Sequence, residues 1–163
     1  MFRFAGAVAA LLLSIALSYG IVRYAVRDFS VVGGPGVETL EMAREVRGLS
    51  NALAFWANDF FSRFPPEGGA VDPDARRWAG QVLAPQYDEL REQAVTADFP
   101  HPVWRDLVAA VYRCGYVLRE PANEAARKQT AVEVRTAIAQ AESWILEEKL
   151  DRYLPAAQQP FRF

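Results

Sequence analysis

The chain has 163 residues with 18 basic and 20 acidic side chains, a formal net charge of −2. Arg3, Arg23 and Arg27 precede the first acidic residue, so residues 28–163 carry 15 basic against 20 acidic groups. That balance excludes the dense positive surface on which nucleic-acid binding and flat docking on anionic lipid depend.

Residues 4–22, FAGAVAALLLSIALSYGIV, contain no charged side chain, and no second apolar run of that length follows. At 1.5 Å per residue the run reaches roughly 28 Å, close to the ~30 Å hydrocarbon core of a bilayer. We therefore expect a single N-terminal transmembrane anchor or signal-like segment over 1–27, inserted through residues 4–22. Ser18-Tyr19-Gly20 offers a weak cleavage site, but the run stays apolar through Ile21 and Val22, which favours an uncleaved anchor. Abundant alanine and the use of arginine over lysine point to a GC-rich bacterial genome, and so to a bacterial inner membrane. A signal-like start places the following domain on the periplasmic side, against a positive-inside count that leans the other way.

Gly33, Gly34, Pro35 and Gly36 mark residues 28–37 as a turn-rich linker. A helix is predicted over 38–63, because Met42, Val46, Leu49, Leu53, Trp56 and Phe60 step by four, three, four, three and four. Phe64-Pro65-Pro66 ends it. Asp72-Pro73-Asp74 begins a second helix with its apolar face at Trp78, Val82, Leu90 and Ala94; Pro85 either kinks it or divides it in two. Pro102 opens a third, with Trp104, Leu107, Val108, Val111, Cys114, Gly115 and Leu118 on one face, where Gly115 permits a close helix approach. The fourth is expected over about 122–153, with Ala131, Val134, Ile138, Ala141 and Ile145 joined by Leu146, Leu150 and Leu154. Residues 155–163 form a tail.

No strand of comparable quality appears, and no internal repeat. The predicted fold is all-α: an antiparallel bundle of about four helices over 38–154, preceded by the single N-terminal transmembrane helix.

Catalytic chemistry has little to work with. His101 is the sole histidine and lies in a proline-flanked turn, where capping or exposure explains it. Cys114, the sole cysteine, sits among apolar neighbours as a small hydrophobe. The paired Glu-x-x-His motifs of di-iron bundles are missing, as are phosphate-cradling and calcium-loop motifs. We expect no enzyme, no metal and no cofactor.

The unusual stretch is residues 55–64, FWANDFFSRF, with more aromatics than one seam can bury. The plain reading is that its second face meets another helix of the bundle, through Trp78, Trp104 or Trp144. The sharper one takes Phe55, Trp56, Asn58, Asp59 and Ser62 as a ligand- or partner-binding site, since aromatics mixed with a few polar groups suit such surfaces. Asp59 and Arg63, four apart, are expected to pair. The leading functional expectation is a membrane-anchored helical interaction module: an accessory, scaffold or assembly subunit of a bacterial membrane complex, with a protein partner or a second copy of itself. The alternative is an extracytoplasmic bundle that binds or senses a small ligand.

Overall fold

The computed structural model describes residues 35–68 and 73–154. The expected anchor over 1–27, nearly all of the linker and the tail over 155–163 lie outside the described residues. Among the described residues no helix is long and apolar enough to cross a membrane.

Four helices follow in order. Helix α1 is Val37–Arg63. Helix α2 is a continuous rod built from Pro73–Trp78, a π-helical turn Ala79–Leu83 and Ala84–Thr96. Helix α3 is Pro102–Arg119, and α4 is Glu124–Glu147. A short 3-10 turn, Asp151–Tyr153, completes the described chain.

The predicted seam of α1 is its buried face. Val46, Leu49, Leu53, Trp56 and Phe60 are all buried, with Met42 half-buried at the margin. Phe61 and Phe64 are buried as well, so four of the five aromatics of the stretch are absorbed within the bundle, while Phe55 stays half-exposed. Phe60 is their hub, stacking on Trp56 at 5.1 Å and on Phe64 at 4.8 Å and meeting Phe61 edge-on at 5.1 Å. Burying each such ring is worth about 1.5–3 kcal/mol.

Pro85 neither breaks α2 nor divides it. The backbone is helical at Trp78 and again at Ala84, whose N–H reaches back five residues to the Ala79 carbonyl. This wider turn opens the ladder just before a residue that has no N–H to give and whose ring crowds the preceding turn. The extra residue also rotates the apolar face. Ala75, Ala79, Leu83 and Tyr87 are buried, whereas Trp78 is half-buried and Val82 is exposed, so the predicted face was one residue out of phase there.

Helix α3 starts as expected. Pro102 occupies the first turn, and the His101 Nδ1 accepts the Val103 N–H at 3.3 Å as an N-cap. Ala110 and Val117 join its predicted buried face, while Val108 and Leu118 are half-buried. Asn123 caps α4 by accepting the Ala126 N–H at 3.0 Å.

The fourth helix is shorter than predicted. It stops at Glu147 because Lys149 adopts the left-handed region at φ 55°. The Leu150 N–H then bonds the Ile145 carbonyl at 2.9 Å and the Lys149 N–H bonds the Leu146 carbonyl at 3.0 Å, the paired closure of a Schellman end. Leu150 folds back into the core, and Leu146, expected there, is 61% exposed.

Contacts fix the direction of each neighbouring pair. Along α1, Arg63 meets Trp78 and Trp56 meets Leu83 and Tyr87. Tyr87 meets Gly115, and Ala97 meets Trp104. Between α3 and α4, His101 meets Trp144 and Arg113 meets Glu133. In every pair one helix is read backwards against the other, so the three consecutive pairs are antiparallel.

Arg127 ties the loops at one end. It is 1% exposed, and its guanidinium donates Nε to the Pro65 carbonyl at 3.0 Å and Nη1 to the Pro121 carbonyl. Replacing Arg127 by Met leaves both carbonyls without their charged donor and should cost about 2–4 kcal/mol in urea unfolding.

Gly115 leaves the notch that the Tyr87 ring fills, because a Cβ there would lie 2.1 Å from the Tyr87 hydroxyl and 2.4 Å from the ring carbon bearing it. Gly115→Ala should therefore destabilise the bundle by about 1–3 kcal/mol, with partial recovery in the Tyr87→Phe background. Gly48→Ala, whose Cβ would meet nothing within 4 Å, should stabilise it by about 0.5–1 kcal/mol through helix propensity alone. Equal losses at both glycines in chemical denaturation would contradict this packing.

Candidate functional site

A groove of about 930 Å³ runs along the α1–α2 face. Helix α1 supplies one wall through Arg44, Arg47, Gly48, Asn51 and Phe55, residues that recur turn by turn along one stripe. Helix α2 supplies the other through Gln86, Glu89, Leu90 and Gln93, again on one stripe. Trp104, from the start of α3, lines it as well and is held by its indole N–H on the Ala97 carbonyl at 3.2 Å. Leu49, Trp56, Leu90 and Trp104 are buried and make an apolar floor.

Charge in the groove is balanced, with Arg44 and Arg47 against Glu45 and Glu89. Two polar atoms are nevertheless buried without a hydrogen-bond partner: Arg47 Nε and Gln86 Oε1. Both belong to residues that line this groove. Each of these atoms has less than 1 Å² of accessible surface, so they are covered by the bundle itself, and what the groove presents to a second molecule is the rest of its lining. Gly48 keeps the wall low, since nothing lies within 4 Å of where its Cβ would stand.

The residues singled out in the sequence divide between this groove and its surroundings. Phe55 and Trp56 line it. Phe55 is 48% exposed, a large apolar side chain left half in solvent. Trp56 presents only ring surface, because its indole N–H is committed to the Leu83 carbonyl at 3.1 Å. Asn58, Asp59 and Ser62 are not among the lining residues, and the Ser62 hydroxyl donates to the Asp59 carbonyl at 2.8 Å. The Asp59–Arg63 pair does not form; Arg63 instead lies over the Trp78 ring, 4.0 Å from its centroid. The groove thus begins earlier on α1 than the sequence suggested. Its polar residues carry one local signal, the recurrence of Arg44, Arg47, Asn51 and Phe55 beside the apolar seam.

A second concavity, about 790 Å³ and more open, lies beside the π turn between Arg76, Gly80, Leu118 and Arg119. Arg119 is already engaged there, donating Nε to the Gly115 carbonyl at 3.2 Å.

The histidine and the cysteine sit outside this groove. His101 is occupied as a cap, with its ring against Trp144 at 5.0 Å. Burial holds the Tyr87 hydroxyl above the ordinary phenol range, with the nearby Cys114 adding to the shift. The Cys114 thiol is fully buried, and desolvation pushes it far above the ordinary thiol range. Among the described residues no three His, Cys, Asp or Glu side chains gather as metal ligands would.

The fold and this groove together define a helical bundle with a lined, half-open cleft between its first two helices. No known family model, curated protein or solved structure matches the chain.

Cys114 should be inert in the folded protein. Its alkylation by iodoacetamide at pH 8 should run at least roughly 100-fold slower than in the unfolded chain. The linkage has a definite sign: a folded pKa raised above the unfolded value gives stability that is complete below the unfolded pKa and is lost as pH rises beyond it. Stability should therefore fall above about pH 8.5, where the unfolded thiol ionises and the folded one does not, and fall further near pH 10 as the unfolded Tyr87 ionises. In urea titrations against pH, Cys114→Ala should remove the first part of that decline; an unchanged profile would contradict it.

Proposed function

We propose that this chain is a membrane-anchored interaction module, an accessory, scaffold or assembly subunit of a bacterial membrane complex, whose α1–α2 groove receives a protein partner. On this reading residues 4–22 hold the chain in the inner membrane and the bundle works on the periplasmic side. The observation that carries it is the groove itself, in which a half-exposed Phe55 stands at the margin amid Arg44, Asn51, Glu89 and Gln93. Partner-facing surfaces have this make-up, with an aromatic anchor amid polar groups.

The alternative, an extracytoplasmic bundle that senses a small ligand, draws support from one quantity. At about 930 Å³ the groove falls within the range of small-molecule sites, on the order of 300–1,000 Å³.

Gly48→Trp separates these readings from a bundle with no use for its groove, because the new indole fills the wall where the structure is open. In crosslinked, gently solubilised membranes, the full-length protein should bring down defined partners, and Gly48→Trp should reduce their recovery at least tenfold while the helical circular dichroism is kept. If wild type is recovered alone but small metabolites raise its melting temperature, the ligand reading stands. Equal recovery of partners by both proteins would sink the assignment of the groove.

A further inference from the structure

Divided at the midpoint of each helix, the antiparallel bundle falls into two halves of opposite electrical character. The half made of residues 37–50, 85–110 and 136–154 carries twelve acidic and six basic side chains. The half made of residues 51–68, 73–84 and 111–135 carries six acidic and eight basic ones. An acidic ligand is therefore repelled by the first half and drawn to the second.

Most bases of the second half are already committed. Arg77 pairs with Asp74, Arg113 with Glu133 and Lys128 with Glu124, while Arg63 lies over Trp78 and Arg127 bonds two carbonyls. Arg76 and Arg119 differ, since among the described residues neither forms an ion pair. Both line the concavity beside the π turn. Arg119 bonds the Gly115 carbonyl through Nε, and its two Nη groups extend beyond that bond. Glu120, the carboxylate in the same lining, accepts the Tyr116 hydroxyl at Oε2, 3.1 Å away.

Gly80 adds a main-chain group. Having no side chain, it lines the concavity with backbone, and nothing lies within 4 Å of where its Cβ would stand. The Ala84 N–H goes back to the Ala79 carbonyl and Pro85 has no N–H, so the Gly80 carbonyl is left without its helical donor. Arg76, Gly80 and Arg119 are exposed, and Ala84 and Leu118 between them are half-buried, so each presents surface to a second molecule. Two guanidiniums suit a carboxylate, and an open main-chain acceptor suits an amide N–H. A peptide with an acidic side chain supplies both.

We propose that this concavity is a second recognition site, which binds an acidic segment of a protein partner. An Asp or Glu carboxylate sits on Arg76 and Arg119, an adjacent main-chain N–H on the Gly80 carbonyl, and a small apolar side chain against Ala84 and Leu118. The concavity shares no lining residue with the α1–α2 groove, so the two readings stand or fall separately.

The test applies the full-length protein, in nanodiscs of zwitterionic lipid at low salt, to an array of random peptides in matched acidic, neutral and basic sets. The strongest binders are then resynthesised with a fluorescent label and measured by anisotropy. The expected binders come from the acidic set and weaken as salt is added. Their affinity should fall at least fivefold with Arg76→Gln/Arg119→Gln and rise about twofold with Glu120→Gln, an increase that loss of structure does not produce. Gly48→Trp should leave it unchanged, and N-methylation beside the acidic residue should cost at least threefold. No preference for the acidic set, or no response to the arginine double variant, overturns the site. A loss with Gly48→Trp places the peptides in the groove and also overturns it. Indifference to N-methylation at every position, or displacement of the peptides by an equal concentration of inorganic phosphate, reduces the pocket to a general anion patch and overturns the peptide.

Discussion

Trp56 is the side chain on which the arrangement of the helices depends. Its ring lies at 1% exposure, stacks on Phe60 and tilts against Tyr87 at 6.1 Å, while its indole N–H is fixed on the Leu83 carbonyl. That carbonyl belongs to the last residue of the π turn, so one residue of α1 is bonded to the backbone of α2 beside its irregularity and fixes the register of the pair there. Tyr87 carries the constraint onward, because it is pressed against Gly115 of α3, and Phe60 carries it to Phe64 at the end of α1. A buried hydrogen bond contributes about 1 kcal/mol and the ring burial more. Their larger effect is geometric, because Trp56 touches both the backbone of α2 at Leu83 and the Tyr87 ring that fills the notch at Gly115.

The two ends of the bundle are treated differently. At one end Arg127 gathers the α1–α2 and α3–α4 connections through the carbonyls of Pro65 and Pro121. Prolines end those helices and leave acceptors exposed, and a buried guanidinium with several fixed donors is well suited to collect them. Gly68, at φ 101°, folds the first connection so tightly that a Cβ would stand 2.7 Å from the Glu124 carboxylate. That carboxyl is held below the ordinary range by Lys128, which pairs with it one turn along α4. The other end is held by aromatic contacts, His101 against Trp144 and Trp104 against Phe99 and the Ala97 carbonyl, and the groove lies between α1 and α2 on that side.

Much of this was legible in the sequence because it rests on spacing. The four-three alternation from Val46 to Phe60 is a property of α1 alone, and so are the starts at Pro73 and Pro102. The misses share a cause, since each depends on a residue far away in sequence. The π turn shifts the buried face of α2 from Val82 to Leu83, where Trp56 of α1 packs and bonds. Lys149 takes a conformation usually given to glycine because Leu150 gains a place in the core. Arg127 reads as a solvated helix residue until two proline carbonyls close on it. The candidate site shows the same limit. Asp59 and Ser62 continue the helical stripe of Phe55, but the groove ends before them, where Arg63 and Trp78 pack together. Where a stripe becomes a site is decided by the opposing helix.

That contrast bears on why the open end is polar. A bundle selected for stability alone has an inexpensive solution at Arg47 and Gln86: apolar side chains of similar volume, leaving no buried atom unsatisfied. Each orphan costs about 1–3 kcal/mol in the isolated domain, a sizeable share of the stability of a unit this small. The same chain satisfies its buried arginine at the tied end completely, so the difference is one of place and not of a general shortage of hydrogen bonds. Both orphans lie beneath the lining of the groove with almost no surface of their own, so a second molecule entering the cleft meets Phe55 and the polar rim first, and their cost is borne within the bundle.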